Sequence, residues 1–315
     1  MEITNTDLAN FIQNTITLPK DKAKAYGEQV DNLRKKLEEY INDNPEFQLI
    51  KMLNSGSIAK GTSLSIMNDI DVALYIKPDD IENHKLLDVL EYVRKALITV
   101  YEGQMEPDQF TLGTHCVKVS FRGSGLDVDV VPVIYRGKAD NRGDLLDDDT
   151  GEWVETSIPL HLEFIRSRKD LYPLYADLVR MTKWWRIKRD FKFKSFLIEL
   201  IWCHLVDTQS PPKSRIDAFA KFLSFILRTR LEEQIIFTDY YKPSDVKDDP
   251  NSPVKIYDPV NPKNNVGKNL TEQEKAKIIE EAQVAFDALS MATSAYTKGK
   301  AIEYWKKILG SSFNP

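Results

Sequence analysis

NSGSIAKGTSLSIMNDIDVALYIKP, residues 54–78, decides how the chain is read. It joins a Gly56-Ser57 turn, a small polar segment with Lys60-Gly61-Thr62, and the strand pattern Asp69-Ile-Asp-Val-Ala-Leu-Tyr-Ile76. Side chains of a strand alternate between faces, so Ile70, Val72, Leu74 and Ile76 share one side and Asp69, Asp71 and Tyr75 the other. The apolar face buries and leaves two carboxylates side by side in the open. At about 4 Å and an effective dielectric near 20 they repel by roughly 4 kcal/mol. Protonation, solvation or a divalent cation must offset that repulsion. A bare Asp-x-Asp is usually a solvated strand face. Beside a glycine turn whose backbone N–H groups can hold phosphate oxygens, the same spacing suits Mg²⁺ carrying a nucleoside triphosphate.

Further along, His115 to Phe121 alternates, Arg122-Gly-Ser-Gly125 is a turn, and Leu126-Asp-Val-Asp-Val-Val-Pro132 returns as its hairpin partner. Leu126, Val128 and Val130 take one face; Asp127 and Asp129 take the other. Two-metal phosphoryl transfer needs a third carboxylate beside a pair such as Asp69 and Asp71. Spacing alone leaves Asp127 and Asp129 equally eligible. His115 opens a strand, where histidine is commonly a structural hydrogen-bonding group, and no histidine is given a catalytic role.

Around these strands, Tyr26, Val30, Leu33, Leu37 and Tyr40 mark an amphipathic helix over residues 21–41, stopped by Asn42-Asp-Asn-Pro45. Phe47 to Leu53 forms a short strand, and Leu86, Leu90, Val93 and Leu97 place a helix over Asp79–Tyr101. From Ser157-Ile-Pro159 onward the pattern turns almost wholly helical, with proline in the first turn. The expected organisation is therefore α+β: residues 1–157 as a catalytic lobe with a long N-terminal helix, and 158–315 as a helical lobe. In the second lobe Lys183, Arg186, Lys188, Arg189, Lys192 and Lys194 fall within twelve residues. Helices are expected over 213–231, from the Thr271-Glu-Gln-Glu274 capping box to about Thr293, and over Lys298–Leu309. Residues 240–270, rich in Pro, Asn and Asp, read as irregular.

Composition narrows the function classes. A net charge of −5 and a pI of about 5.6 argue against coating nucleic acid through bulk charge, so such a contact must be a local patch. Cys116 and Cys203 are too few for a zinc site or a disulfide framework. No signal peptide or membrane-spanning run is evident, and a cytoplasmic protein is expected.

Gly56, Ser57, Asp69 and Asp71 resemble the motif of the nucleotidyltransferase superfamily built on the DNA polymerase β catalytic core. Gly56-Ser-x-x-Lys-Gly-Thr-x-Leu64 looks most like the 2′-5′-oligoadenylate synthases and the bacterial CD-NTases. Asn68-Asp-Ile-Asp-Val72 and Phe121-Arg-Gly-Ser-Gly-Leu-Asp-Val-Asp-Val-Val-Pro132 look closest to CD-NTase clade C. The resemblance implies a polymerase β-like core with an oligoadenylate-synthase-like helical lobe, and it selects Asp129, in Asp-Val-Val-Pro, as the third acid. Asp69, Asp71 and Asp129 are then the catalytic metal ligands for two Mg²⁺, which Mn²⁺ can replace. Gly56, Ser57, Lys183 in Leu178-Val-Arg-Met-Thr-Lys-Trp-Trp185, and Ser195 at the head of the next helix are the implied phosphate-binding set. Asp258-Pro-Val-Asn-Pro-Lys-Asn264 resembles a loop common to the same families and reads as packing. Trp184, Trp185 and Trp202 read as core.

What the family implies is condensation of ATP, with or without a second nucleotide, into a cyclic di- or trinucleotide such as cyclic tri-adenylate in CBASS antiphage signalling. A HORMA-domain activator comes with it, with double-stranded nucleic acid at most a co-activator through Arg186, Lys188 or Arg189. A linear oligoadenylate synthase or RNA-end nucleotidyltransferase would share every catalytic residue and differ in product. An inactive nucleotide-sensing scaffold would have no need of three acids.

Overall fold

The computed structural model describes residues 3–77, 86–137, 140–146, 153–209 and 212–315. They divide into two compact units, Leu18–Glu163 and Met1–Thr17 with Phe164–Pro315.

The first unit is built on a mixed sheet. Its strands are β1 (Leu49–Asn54), β2 (Asp69–Ile76), β3 (Phe110–Leu112), β4 (Val117–Phe121), β5 (Leu126–Tyr135), β6 (Gly143–Leu146) and β7 (Trp153–Thr156). The order is β1-β2-β5-β4-β3, with β6 joining β5 and β7 joining β6. β4 and β5 form the expected antiparallel pair. The sequence gives no hint that β2 and β5 lie side by side in parallel, matching Asp69 with Asp127 and Asp71 with Asp129.

Alternation does what β2 requires: Ile70, Val72, Leu74 and Ile76 are at most 3% exposed. They pack with Val128 and Val130 of β5 and with two helices, α2 (Lys20–Asp43) and α4 (Leu86–Val100). Tyr26, Val30, Leu33, Leu37 and Ile41 form the buried stripe of α2, and Asn44 closes it by donating its backbone N–H to Tyr40 O. The start expected for the next helix, Asp79 to Lys85, lies outside the described residues. The other face of β2 is open only at its beginning, because Ala73 and Tyr75 are buried in a small second cluster with Val133.

The second unit is helical: α1 (Asn5–Phe11), α5 (Ile158–Leu171, crossing the boundary between Glu163 and Phe164), α6 (Tyr175–Lys188), α7 (Ser195–Thr208), α8 (Arg215–Thr229), α9 (Glu272–Thr293) and α10 (Lys298–Leu309). The Thr271 capping box forms, its hydroxyl accepting from Glu274 N while Glu274 accepts from Thr271 N. The first 17 residues differ from the expected division, grouping with this unit rather than with the sheet. Phe11 is the reason: its ring meets Trp184 and Phe313 edge-on at centroid distances of 6.4 and 4.8 Å. Asp7 adds an ion pair to Lys298 at 2.9 Å.

Residues 240–270 are irregular and held by buried polar groups. Asn265 Oδ1 accepts from the N–H groups of Ile256 and Gly267, and Asp258 Oδ1 accepts from Val260 N. Trp184, Trp185 and Trp202 are core residues, as expected. Among the described residues no helix is long and apolar enough to cross a membrane.

Candidate active site

Gly56 opens a short helix, α3 (Gly56–Lys60), with a left-handed φ of +67° that glycine adopts without strain. The turn is fastened to β2, since Ser55 N donates to Asp71 O at 2.8 Å. The approach is so close that a β-carbon on Gly56 would stand 2.0 Å from Asp71 Oδ2. Gly61, at φ +69°, ends the helix, and the Ser57 and Ser63 hydroxyls share a hydrogen bond of 3.0 Å. The motif is thus one packed object: the glycine makes room for the carboxylate that the next strand delivers.

The parallel register of β2 and β5 sets the acids in two rows, Asp69 beside Asp127 and Asp71 beside Asp129. Neighbouring strands lie about 4.8 Å apart. Asp69 is exposed, and the other three are half-buried. Burial pushes the Asp71 carboxyl above its ordinary value; the charges of Asp129 and Asp69 push it further, against a pull from Lys60 and His115. Asp129 is also raised, chiefly by burial, with Lys118 opposing, Asp69 and Asp127 adding and His115 subtracting. Asp129 Oδ1 is buried and has no hydrogen-bond partner.

Two contributors escaped sequence reasoning. Asn68 links the start of β2 to β5: its side-chain amide donates to Gly125 O at 2.5 Å, and its carbonyl accepts from Asp127 N at 2.7 Å. Lys118 of β4 faces Asp129 in register, and its ammonium lies 3.8 Å from Asp129 and 4.0 Å from Asp127. The alternation of Val117, Lys118 and Val119 already put it on the acidic face.

Lys183 and Ser195 belong to the helical unit. Lys183 is 3% exposed on α6, and its ammonium donates to Glu199 Oε1 of α7 at 2.6 Å. Tyr175 OH donates to the Glu199 carbonyl at 3.2 Å. Ser195 is the first residue of α7, and Arg186 reaches its hydroxyl at 3.4 Å and Phe193 O at 2.8 Å. Other members of the basic stretch are engaged locally. Arg189 pairs with Glu281 at 2.7 Å, and the Lys188 ammonium lies 4.3 Å from the Trp184 ring centroid.

Among the described residues no three Asp, Glu, His or Cys side chains already form a cage for a cation. The arrangement instead suits an ion held by one or two carboxylates and completed by phosphate oxygens and water, which is the usual habit of Mg²⁺. Asp129 Oδ1, which has no hydrogen-bond partner, and Asp71, whose carboxyl is crowded by burial and by its acidic neighbours, have the chemistry for the protein's share.

A family model described as the Second Messenger Oligonucleotide or Dinucleotide Synthetase domain matches residues 1–168. The chain is 43% identical over 312 residues to the cyclic AMP-AMP-AMP synthase of Escherichia coli strain MS 115-1, covering 97% of this chain and 96% of that protein. Among solved structures, E. coli MS115-1 CdnC with ATP matches at a TM-score of 0.91 and 42% identity over 99% of both chains. The same enzyme in a complex with HORMA-deltaN matches at 0.90 and 42% identity over 100% of this chain and 99% of that one.

Proposed function

The chain belongs to the second messenger oligonucleotide or dinucleotide synthetases, the CD-NTases, and from that premise we propose that it condenses ATP into cyclic AMP-AMP-AMP as a CBASS signal. The observation that carries the reading is the register pairing of Asp71 with Asp129 beside a glycine turn moulded to Asp71. In each transfer an acceptor hydroxyl attacks the α-phosphorus of a donor, the bond to pyrophosphate breaks, and the hydroxyl proton is lost. Closing a ring of three repeats this three times.

Asp69 and Asp71 would hold both of two Mg²⁺ ions and Asp129 one of them. Bound there, the ions would supply neutralisation of the developing phosphate charge and acidification of the hydroxyl. The chain's own contribution is orientation. The Ser55 bond to the Asp71 carbonyl and the Asn68 bonds at the start of β5 fix both acid-bearing backbones, and a 1 Å misplacement in such a site lowers rates by about a hundredfold. Gly56 and Ser57 are assigned to the donor phosphates, together with Lys183 and Ser195. A lysine in a buried pair with Glu199 serves that role only by sharing or exchanging its carboxylate partner.

The relative solved with ATP supports ATP as substrate, and the relative solved with HORMA-deltaN supports a HORMA-domain activator. A double-stranded nucleic acid co-activator has no such support, and Arg186, Lys188 and Arg189 are engaged within their own unit. A cytoplasmic location follows from an intracellular substrate and signal.

The test is to incubate the purified protein with ATP and Mg²⁺, alone and with a HORMA-domain protein, and to identify products by mass spectrometry. Cyclic tri-adenylate, increased by the HORMA-domain protein, is the expected result. A linear oligoadenylate would favour the alternative synthase, and no product under any condition would favour a scaffold.

A further inference from the structure

Lys118 is a charged side chain that the proposed chemistry does not use, yet it stands against the acids on which that chemistry depends. It projects to their face of the sheet because its neighbours Val117 and Val119 are fully buried on the other. It lies in register with Asp129, while Ser120 lies opposite Asp127. Its ammonium is almost equidistant from Asp129 Oδ1, at 3.8 Å, and Asp127 Oδ2, at 4.0 Å. Both separations are too long for a hydrogen bond, so Lys118 acts on the two acids through its charge. Since Asp129 Oδ1 makes no hydrogen bond, it stays available to a second cation. Lys60 and His115 also face the cluster: Lys60 acts on Asp71, and His115 on Asp71 and Asp129.

We propose that Lys118 is a positioning residue and resident counter-ion, which lies between Asp127 and Asp129 and competes with the divalent cation for Asp129. The proposal rests on the reading of the acids as a metal site. A divalent ion approaching Asp129 meets a positive charge already in place, and the polyanionic triphosphate of an incoming nucleotide offsets that repulsion. Lys118 therefore makes metal binding weak without nucleotide and stronger with it, linking the entry of the two.

The experiment is a Mn²⁺ titration read by the electron paramagnetic resonance of free ion. It uses wild type, Lys118→Met, Lys118→Arg and Asp71→Asn, each without nucleotide and with a non-hydrolysable ATP analogue, after circular dichroism has checked the fold. Removing one nearby like charge that is 41% exposed should tighten Mn²⁺ binding about three- to tenfold without nucleotide. The gain should shrink with the analogue, and Lys118→Arg should stay near wild type. A purely structural lysine would weaken binding when removed. Should Lys118→Met fail to fold, Lys118→Gln removes the same charge and is read the same way. Unchanged or weaker Mn²⁺ binding in the folded variant, with wild-type binding abolished by Asp71→Asn, overturns the role of Lys118 alone. Wild-type Mn²⁺ binding that is absent even with the analogue, or that survives Asp71→Asn, overturns the metal reading and this inference with it.

Discussion

Gly56→Ala isolates the most specific packing feature of the site. Alanine would hold φ +67°, a conformation that costs an L-residue roughly 1–2 kcal/mol. Its β-carbon would also start 2.0 Å from Asp71 Oδ2, where contacts under 3.0 Å are essentially never seen. The carboxylate must therefore retreat by about 1 Å, a misplacement that lowers a catalytic rate on the order of a hundredfold. Gly103→Ala is the control: Gly103 has φ +71° and nothing within 4 Å of where a β-carbon would stand, so it carries the backbone strain without touching an acid. Initial rates of pyrophosphate release from ATP, together with thermal melting, separate the two effects. The expected outcome is a similar modest loss of stability in both variants, with activity lost only in Gly56→Ala. Activity in folded Gly56→Ala within about threefold of wild type would show that the fit of the turn to Asp71 has no catalytic consequence.

Asp129→Asn should abolish product formation while sparing ATP binding, and Asp127→Asn should be mild; product assays giving the reverse order would reassign the third acid. Lys183→Ala leaves Glu199 buried without its lysine and should destabilise the helical unit by about 3–5 kcal/mol. Denaturant titration of Lys183→Met with Glu199→Gln should recover most of that loss. Calorimetry on the recovered variant should still find ATP binding weakened roughly ten- to a hundredfold if the ammonium grips phosphate, and unchanged affinity would make Lys183 purely structural. Asp71 is raised above its ordinary 3.8 in the fold, so the native state holds its proton more tightly than the unfolded chain does. Its stabilising share is complete below pH 3.8 and is lost as pH rises through the raised value. In chelator, Asp71→Asn should accordingly gain stability on wild type with rising pH across that window; a gain that is flat with pH would contradict the assigned shift.

Much of the site was legible because it depends on local periodicity. The alternation of residues 69–76 placed Ile70, Val72, Leu74 and Ile76 in the core, although Ala73 and Tyr75 on the opposite face are buried as well, and the Arg122–Gly125 turn fixed the hairpin that carries Asp129. The pairing of β2 with β5 was not legible, since parallel strands are brought together by long crossovers that leave no local mark. Nor was the grouping of residues 1–17 with the helical unit, which depends on aromatic contacts between Phe11 and the distant Trp184 and Phe313. Lys183 read as a phosphate-binding lysine by resemblance and otherwise as one member of a basic stretch, its ion pair unforeseen. The sign of its burial was Glu199, a lone carboxylate in the apolar run Phe196–Cys203 that requires a cationic partner.

The central claim is that acids on register-paired strands beside a glycine turn transfer nucleotides into a ring. Its most direct test is conversion of α-³²P-labelled ATP, with Mg²⁺ and the activating partner, into a phosphatase-resistant product whose mass is that of a cyclic oligoadenylate with no free end, using wild type and the folded Asp69→Asn/Asp71→Asn variant. The account predicts a resistant cyclic product from wild type and none from the variant. Equal label in resistant product from both proteins would contradict it.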